Sequence, residues 1–139
     1  MLVSTKGRYA LRVMLELAQD DSAAYLPLPA IAERQGISEK YLESIIKLLV
    51  KAKLLNGLRG KGGGYRLSRP AKDYTAFEIL SLTEGTLAPV TCLESGQQCE
   101  NAENCRTLPL WQGLDRAIAA YLGSYTLEDL EKPLQHAEL

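Results

Sequence analysis

Residues 28–49 carry two apolar stripes of helical period separated by a short turn, and this pattern most narrowly limits what the chain can fold into. In the second stripe Leu42, Ile45, Ile46 and Leu49 recur at i, i+3, i+4 and i+7, so one face of a helix turns inward. Ser38 can cap the free amides at the start of that helix, and Glu39 places negative charge at the positive end of its dipole. The opposite face offers Lys40, Glu43, Ser44, Lys47 and Lys51, side chains able to meet phosphates or base edges. In the first stripe Leu28, Ile31 and Ala32 are apolar on one side, Pro29 suits a first turn, and Gly36 suits a left-handed exit. A helix-turn-helix satisfies this pattern; so does an ordinary helical hairpin in a bundle.

The following segment separates the two. Residues 54–58 and 65–67 can pair as strands, and between them Arg59, Gly60, Lys61, Gly62, Gly63 and Gly64 form a basic tip. Four glycines in six residues exclude a stable helix but allow positive φ angles and close approach to another molecule. The spacing fits no P-loop, and no helix opens on the tip, so a wing is the better reading than a nucleotide cradle. The expected fold is mainly α with a small β-hairpin wing: a winged helix-turn-helix domain plus a long C-terminal dimerisation helix.

The formal net charge of −1 conceals an asymmetry. Residues 1–72 hold thirteen Lys or Arg against six Asp or Glu, whereas residues 73–139 hold three against eleven. The basic half suits a polyanion, and basic residues on a helix-turn-helix and wing are the electrostatic footprint of a binder of double-stranded DNA. The N-terminus lacks the apolar core of a signal peptide and no apolar run reaches membrane-spanning length, so a cytoplasmic protein without a membrane partner is expected.

Ser4 or Thr5 can cap a first helix with Ala10, Val13, Met14 and Leu17 on its apolar face; Lys6, Arg8 and Arg12 near its start can touch phosphate. Residues 20–29 read as a loop. After the wing, Thr75 and Glu78 have capping-box spacing and open a helix that Gly85 closes, ending a first domain at residues 1–85. Residues 86–107 show neither helical nor strand period and contain every cysteine: Cys92, Cys99 and Cys105. Residues 108–139 then contain a helix with Trp111, Leu114, Ile118, Tyr121 and Leu122 on a helical period, followed by a second capping box at Thr126 and Asp129 and a tail after Pro133. One helix cannot bury such a stripe alone, so packing against a second copy of the chain is expected, with folding back onto its own domain as the alternative.

Three cysteines at C-x6-C-x5-C in a reducing compartment do not suit structural disulfides, and the pattern lacks the paired C-x2-4-C spacing of structural zinc. An iron-sulfur cluster held by thiolates fits, as do three free thiols or a redox switch.

Several motifs together carry a family resemblance: Ser4-Thr5-Lys6-Gly7-Arg8-Tyr9-Ala10 at the start, Ile37-Ser38-Glu39-Lys40-Tyr41-Leu42-Glu43 in the second helix of the turn motif, Arg59-Gly60 and Gly63-Gly64-Tyr65 in the wing, the three-cysteine segment, and Thr126-Leu127-Glu128-Asp129-Leu130 near the end. Across nearly its whole length the chain resembles the Rrf-type winged-helix regulators, and most closely those that respond to iron-sulfur clusters. The resemblance implies a homodimeric transcription factor, a repressor, that holds a cluster through Cys92, Cys99 and Cys105, of 2Fe-2S type with 4Fe-4S also compatible, and controls genes for cluster assembly. From their places on the first helix, the turn motif and the wing, DNA contacts are expected from Lys6, Arg8, Ser38, Glu39, Lys40, Tyr41, Glu43, Lys47, Arg59, Lys61 and Gly62. One position departs from the pattern. The cluster-binding members place a histidine ligand three residues after the last cysteine; here that residue is Leu108, and the matching first-helix acid of the nitric-oxide-sensing members is Arg8. A fourth ligand would then come from Glu84, Glu94, Glu100 or Glu103, a partner chain, or a small molecule or solvent. The only histidine, His136, falls in the tail.

Two other readings remain open: a metal-free thiol- or effector-responsive regulator on the same fold, and an interaction module that binds a partner enzyme through the acidic half. An enzyme is not expected, because no nucleophile is paired with a base.

Overall fold

In the computed structural model, residues 3–132 are described except for 21, 23 and 95–98. Pro133 and His136, and the expected tail around them, lie outside the described residues. The elements are α1 (Thr5–Ala18), α2 (Leu28–Gln35), α3 (Glu39–Lys51), β1 (Leu55–Leu58), β2 (Gly64–Leu67), α4 (Ala76–Glu84), α5 (Leu108–Gly123) and α6 (Leu127–Glu131). Short 3-10 turns occupy Ala71–Asp73, Thr91–Leu93 and Ala102–Asn104.

The helix-turn-helix forms as its caps dictate. Ser38 Oγ accepts from the Tyr41 amide at 3.1 Å, opening α3. Gly36 closes α2, after which the Ile37 amide donates to the Ala32 carbonyl at 3.1 Å. Leu42, Ile45, Ile46 and Leu49 are all buried, and they meet Ala10, Val13, Met14 and Leu17 of α1 in one core. The first helix therefore backs the motif, as its stripe predicted.

β1 and β2 pair antiparallel, with Leu55 opposite Leu67 and Leu58 opposite Gly64. The supposed loop before α2 adds a third strand-like residue: Leu26 exchanges two hydrogen bonds of 2.9 Å with Tyr65 and is itself buried. Gly64 is needed here, because its φ is +147° and an added Cβ would overlap the Leu26 carbonyl oxygen. The root of the wing is thus pinned to the entry of α2.

The capping box expected at α4 is half formed. Thr75 Oγ1 accepts from the Glu78 amide at 3.1 Å, but the Glu78 carboxylate turns to Arg69 at 2.8 Å instead of the cap backbone. A charged partner outcompetes a backbone amide for that acceptor. At α6 the box is complete: Asp129 donates its amide to Thr126 Oγ1 at 3.1 Å and accepts from the Thr126 amide at 2.9 Å.

The core does not stop at residue 85. Leu127 is fully buried within it, and the chain on either side is tied to the start of α4, with the Leu127 amide donating to the Tyr74 carbonyl at 3.0 Å and the Ala76 amide to the Tyr125 carbonyl at 2.9 Å. Burying one leucine stabilises by about 1.5–3 kcal/mol, enough to anchor a helix of this length. Consequently α5 packs on α4 and leads into α6, which returns to α1.

Candidate nucleic-acid interface and cysteine segment

The outward face of α3 places Lys40, Glu43, Ser44, Lys47 and Lys51 in solvent, together with Ser38 and Glu39 at its start. Between this face and the wing runs a groove of about 580 Å³ whose walls include Glu43, Lys47, Lys51 and Arg59. The groove is open and its cations converge from two elements, the arrangement a phosphate backbone requires. Glu43 and Lys47, one helical turn apart, form an exposed pair at 3.4 Å. That pair is worth little in water, so either partner is available to another ligand. At the far end, Arg59, Lys61 and Gly62 are exposed on the wing tip.

The N-terminal end of α1 joins the same region. Tyr9 packs edge-to-face on Tyr41 with ring centroids 6.0 Å apart, and the Arg12 guanidinium lies 4.8 Å above the Tyr9 ring. Tyr41 is therefore half-buried and acts as a spacer between the two helices. Lys6 is half-exposed and Arg8 exposed, with the Arg8 guanidinium donating to Thr5 Oγ1 at 3.3 Å. The Tyr9–Tyr41 contact was not foreseen; two aromatic residues 32 positions apart give no periodic signal.

The three cysteines are free thiols. Cys92 and Cys99 line one cavity of about 420 Å³, whose other walls include Glu100, Glu103, Leu108 and Gln112. Leu108 thus faces the same space as two of the thiols. Cys105 does not line that cavity. Its Sγ lies 3.4 Å from Thr107 Oγ1, and hydrogen bonds from the Thr107 side chain and then its backbone hold the thiol below its ordinary pKa. Among the described residues no group of three His, Cys, Asp or Glu is gathered closely enough to hold a metal ion. Glu84 is turned away, accepting two hydrogen bonds from Ser4.

The five apolar residues of α5 divide between two faces. Leu114 and Tyr121 are 42% and 57% exposed, and Leu110 is 62% exposed on the same side. Trp111, Ile118 and Leu122 are half-buried, with Ile118 lining a cavity that it shares with Phe77 of α4. No described helix is long and apolar enough to cross a membrane.

The architecture and its basic groove define a winged helix-turn-helix protein of the transcription-regulator class. The Rrf2 family, described as an iron-dependent transcriptional regulator, matches residues 3–133, and the chain belongs to that family. It is 38% identical to the HTH-type transcriptional regulator IscR of Xenorhabdus nematophila over 132 residues, covering 95% of this chain and 80% of that protein. Among solved structures it is similar to CymR, the global cysteine regulator of B. subtilis, at 37% identity and a TM-score of 0.76, covering 94% of this chain and 96% of that one. It is also similar to T. potens IscR, at 35% identity and a TM-score of 0.73, covering 94% and 85% of the two chains. These relatives are transcriptional regulators, not enzymes.

Proposed function

We propose that this chain is a cytoplasmic, homodimeric repressor whose affinity for operator DNA is set by an iron-sulfur cluster held through Cys92, Cys99 and Cys105, and that genes for cluster assembly are among its targets. In this reading residues 1–85 carry the DNA-binding domain, residues 86–107 the cluster segment, and residues 108–139 the dimer helix and terminal helix. Ser38, Glu39, Lys40, Tyr41, Glu43 and Lys47 enter a major groove, Lys6 and Arg8 meet phosphate, and Arg59, Lys61 and Gly62 reach the flanking minor groove or its backbone. Two copies pair through Trp111, Leu114, Ile118, Tyr121 and Leu122, with Leu114 and Tyr121 already exposed for the purpose.

The observation that carries the cluster half is the shared cavity of Cys92 and Cys99. Three soft thiolates suit iron-sulfur ligation, and Glu100, Glu103 and Gln112 on the cavity wall are the oxygen donors available where Leu108 supplies none. In this reading a 2Fe-2S or 4Fe-4S group would take Cys92 and Cys99 from the cavity wall, Cys105 from outside it and one ligand that is not a cysteine. When bound, such a group supplies iron-thiolate bonds and a redox-active centre. In this reading Cys92, Cys99 and Cys105 would be held together immediately before α5, which couples the group to the start of that helix. Because binding free energies are linked, any effect of the cluster on operator affinity must be matched by an equal effect of operator on cluster affinity.

A second reading is supported by Leu108 and by the likeness to CymR: a metal-free regulator in which the same thiols respond to oxidation. Anaerobic purification followed by an absorbance spectrum and iron and sulfide assays separates the two. A coloured protein that loses iron when all three cysteines are replaced by Ala supports the cluster. A colourless, iron-free protein that binds promoter DNA only when reduced supports the thiol switch.

A further inference from the structure

We infer that Glu84 is a positioning residue for DNA binding: its clamp on Ser4 sets where Lys6 and Arg8 stand against phosphate. This inference rests on the DNA-binding reading above. Glu84 ends α4, yet its Oε1 accepts from both the Ser4 amide at 3.0 Å and the Ser4 hydroxyl at 2.7 Å, across 80 positions of sequence. The same hydroxyl accepts from the Gly7 amide at 3.0 Å and so caps α1. A continuous chain of hydrogen bonds, charge-assisted at one end, thus joins the last residue of α4 to the first turn of α1, the turn that carries Lys6 and Arg8.

Gly7 makes this approach possible. It is buried, and a Cβ at that position would overlap Glu84 Oε1 and press on Thr83 Oγ1 and Leu80 Cδ2 at 3.2 and 3.3 Å. The first turn of α1 is therefore seated on α4 so closely that a side chain at position 7 would displace the Glu84 carboxylate from its place. A carboxylate in the basic half of the chain works against long-range attraction to DNA, since it adds negative charge where phosphate is to be met. Its contribution to binding is orientation, which opposes its contribution by charge, and the two predict opposite signs for its removal.

The test measures affinity against salt concentration, by fluorescence anisotropy on the full chain, for a 30-base-pair duplex that the wild-type protein selects from a randomised library. Glu84→Ala should bind at least about fivefold more weakly, with the slope of log affinity against log salt reduced by about one to two, the phosphate contacts of Lys6 and Arg8 being lost. Glu84→Gln, which keeps the acceptor and drops the charge, should recover binding. Adding Lys6→Ala and Arg8→Ala to Glu84→Ala should cost nothing further. Equal or tighter binding by Glu84→Ala, or a full additional loss from the two basic substitutions, overturns the inference. Should Glu84→Ala fail to fold, Gly7→Ala takes its place, because alanine favours the helix yet displaces Glu84. Wild-type affinity in that variant would equally overturn the clamp. If the wild-type protein selects no duplex and shows no salt dependence, the DNA-binding reading itself fails, and that outcome is distinct.

Discussion

The Tyr74 hydroxyl donates to the Leu54 carbonyl at 2.7 Å from a ring with no exposed surface. It also accepts from the Ser68 and Arg69 amides, both at 3.0 Å, so one side chain ties the residue that enters the wing to the two that leave it. Tyr74→Phe would take the acceptor from the Arg69 amide and the shortest donor from the Leu54 carbonyl, which keeps the Ser68 hydroxyl at 3.1 Å and the Ser68 amide at 3.4 Å. A loss of about 1–3 kcal/mol is expected. In urea denaturation the midpoint should fall while the m-value stays constant.

Glu43 projects from the exposed face of α3 and pairs with Lys47. In a major groove its carboxylate can accept from cytosine N4 and repels nearby phosphate. Glu43→Ala should therefore relax sequence preference more than it lowers total affinity. Selection from a randomised operator library checks this, and an identical consensus for the two proteins would remove Glu43 from base readout.

Lys61 stands in solvent at the wing tip. Lys61→Ala should weaken binding alike on all sequences and reduce the salt slope by about one. The measurement is affinity on a selected and a scrambled duplex from 50 to 300 mM salt, roughly the range over which phosphate contacts are lost. An unchanged slope would place Lys61 away from the backbone.

The exposed apolar side of α5 carries Leu110, Leu114 and Tyr121. Leu114→Asp puts a charge in the centre of that side without touching the half-buried Trp111, Ile118 and Leu122. If the proposed dimer forms through this side, sedimentation equilibrium should report a monomer for this variant where the wild type associates, with circular dichroism unchanged. A dimer that survives would move the interface to another surface.

The Asp129 carboxyl titrates below the ordinary value of 3.8 because the Thr126 backbone amide, and then the Thr126 side chain, stabilise its charged form. A depressed folded-state pKa means that the unfolded chain binds the proton more readily, so this group's stabilisation is fully present above the unfolded value and is lost as pH falls below it. Asp129→Asn should flatten the decline in stability between about pH 5 and 2, slightly lowering stability at neutral pH and leaving it nearly the same at the acid end. Urea midpoints across that range read the difference directly.

The helical stripes, the Ser38 and Thr126 caps, the glycine-rich tip and the charge division were legible in the sequence because each is written within a few consecutive residues. An i, i+4 repeat or a cap bond needs only the local backbone to form. The pairing of Leu26 with Tyr65, the choice of Arg69 by Glu78, the return of Leu127 into the core and the clamp of Glu84 on Ser4 were decided by tertiary packing. Each joins groups whose proximity depends on how whole helices settle, and each was settled by which acceptor, donor or apolar pocket was left nearby once the core had closed. The cysteines show the same division. Their number and spacing admit a cluster or a switch, but only the folded chain puts Cys92, Cys99 and Leu108 on one cavity and Cys105 outside it, beside Thr107.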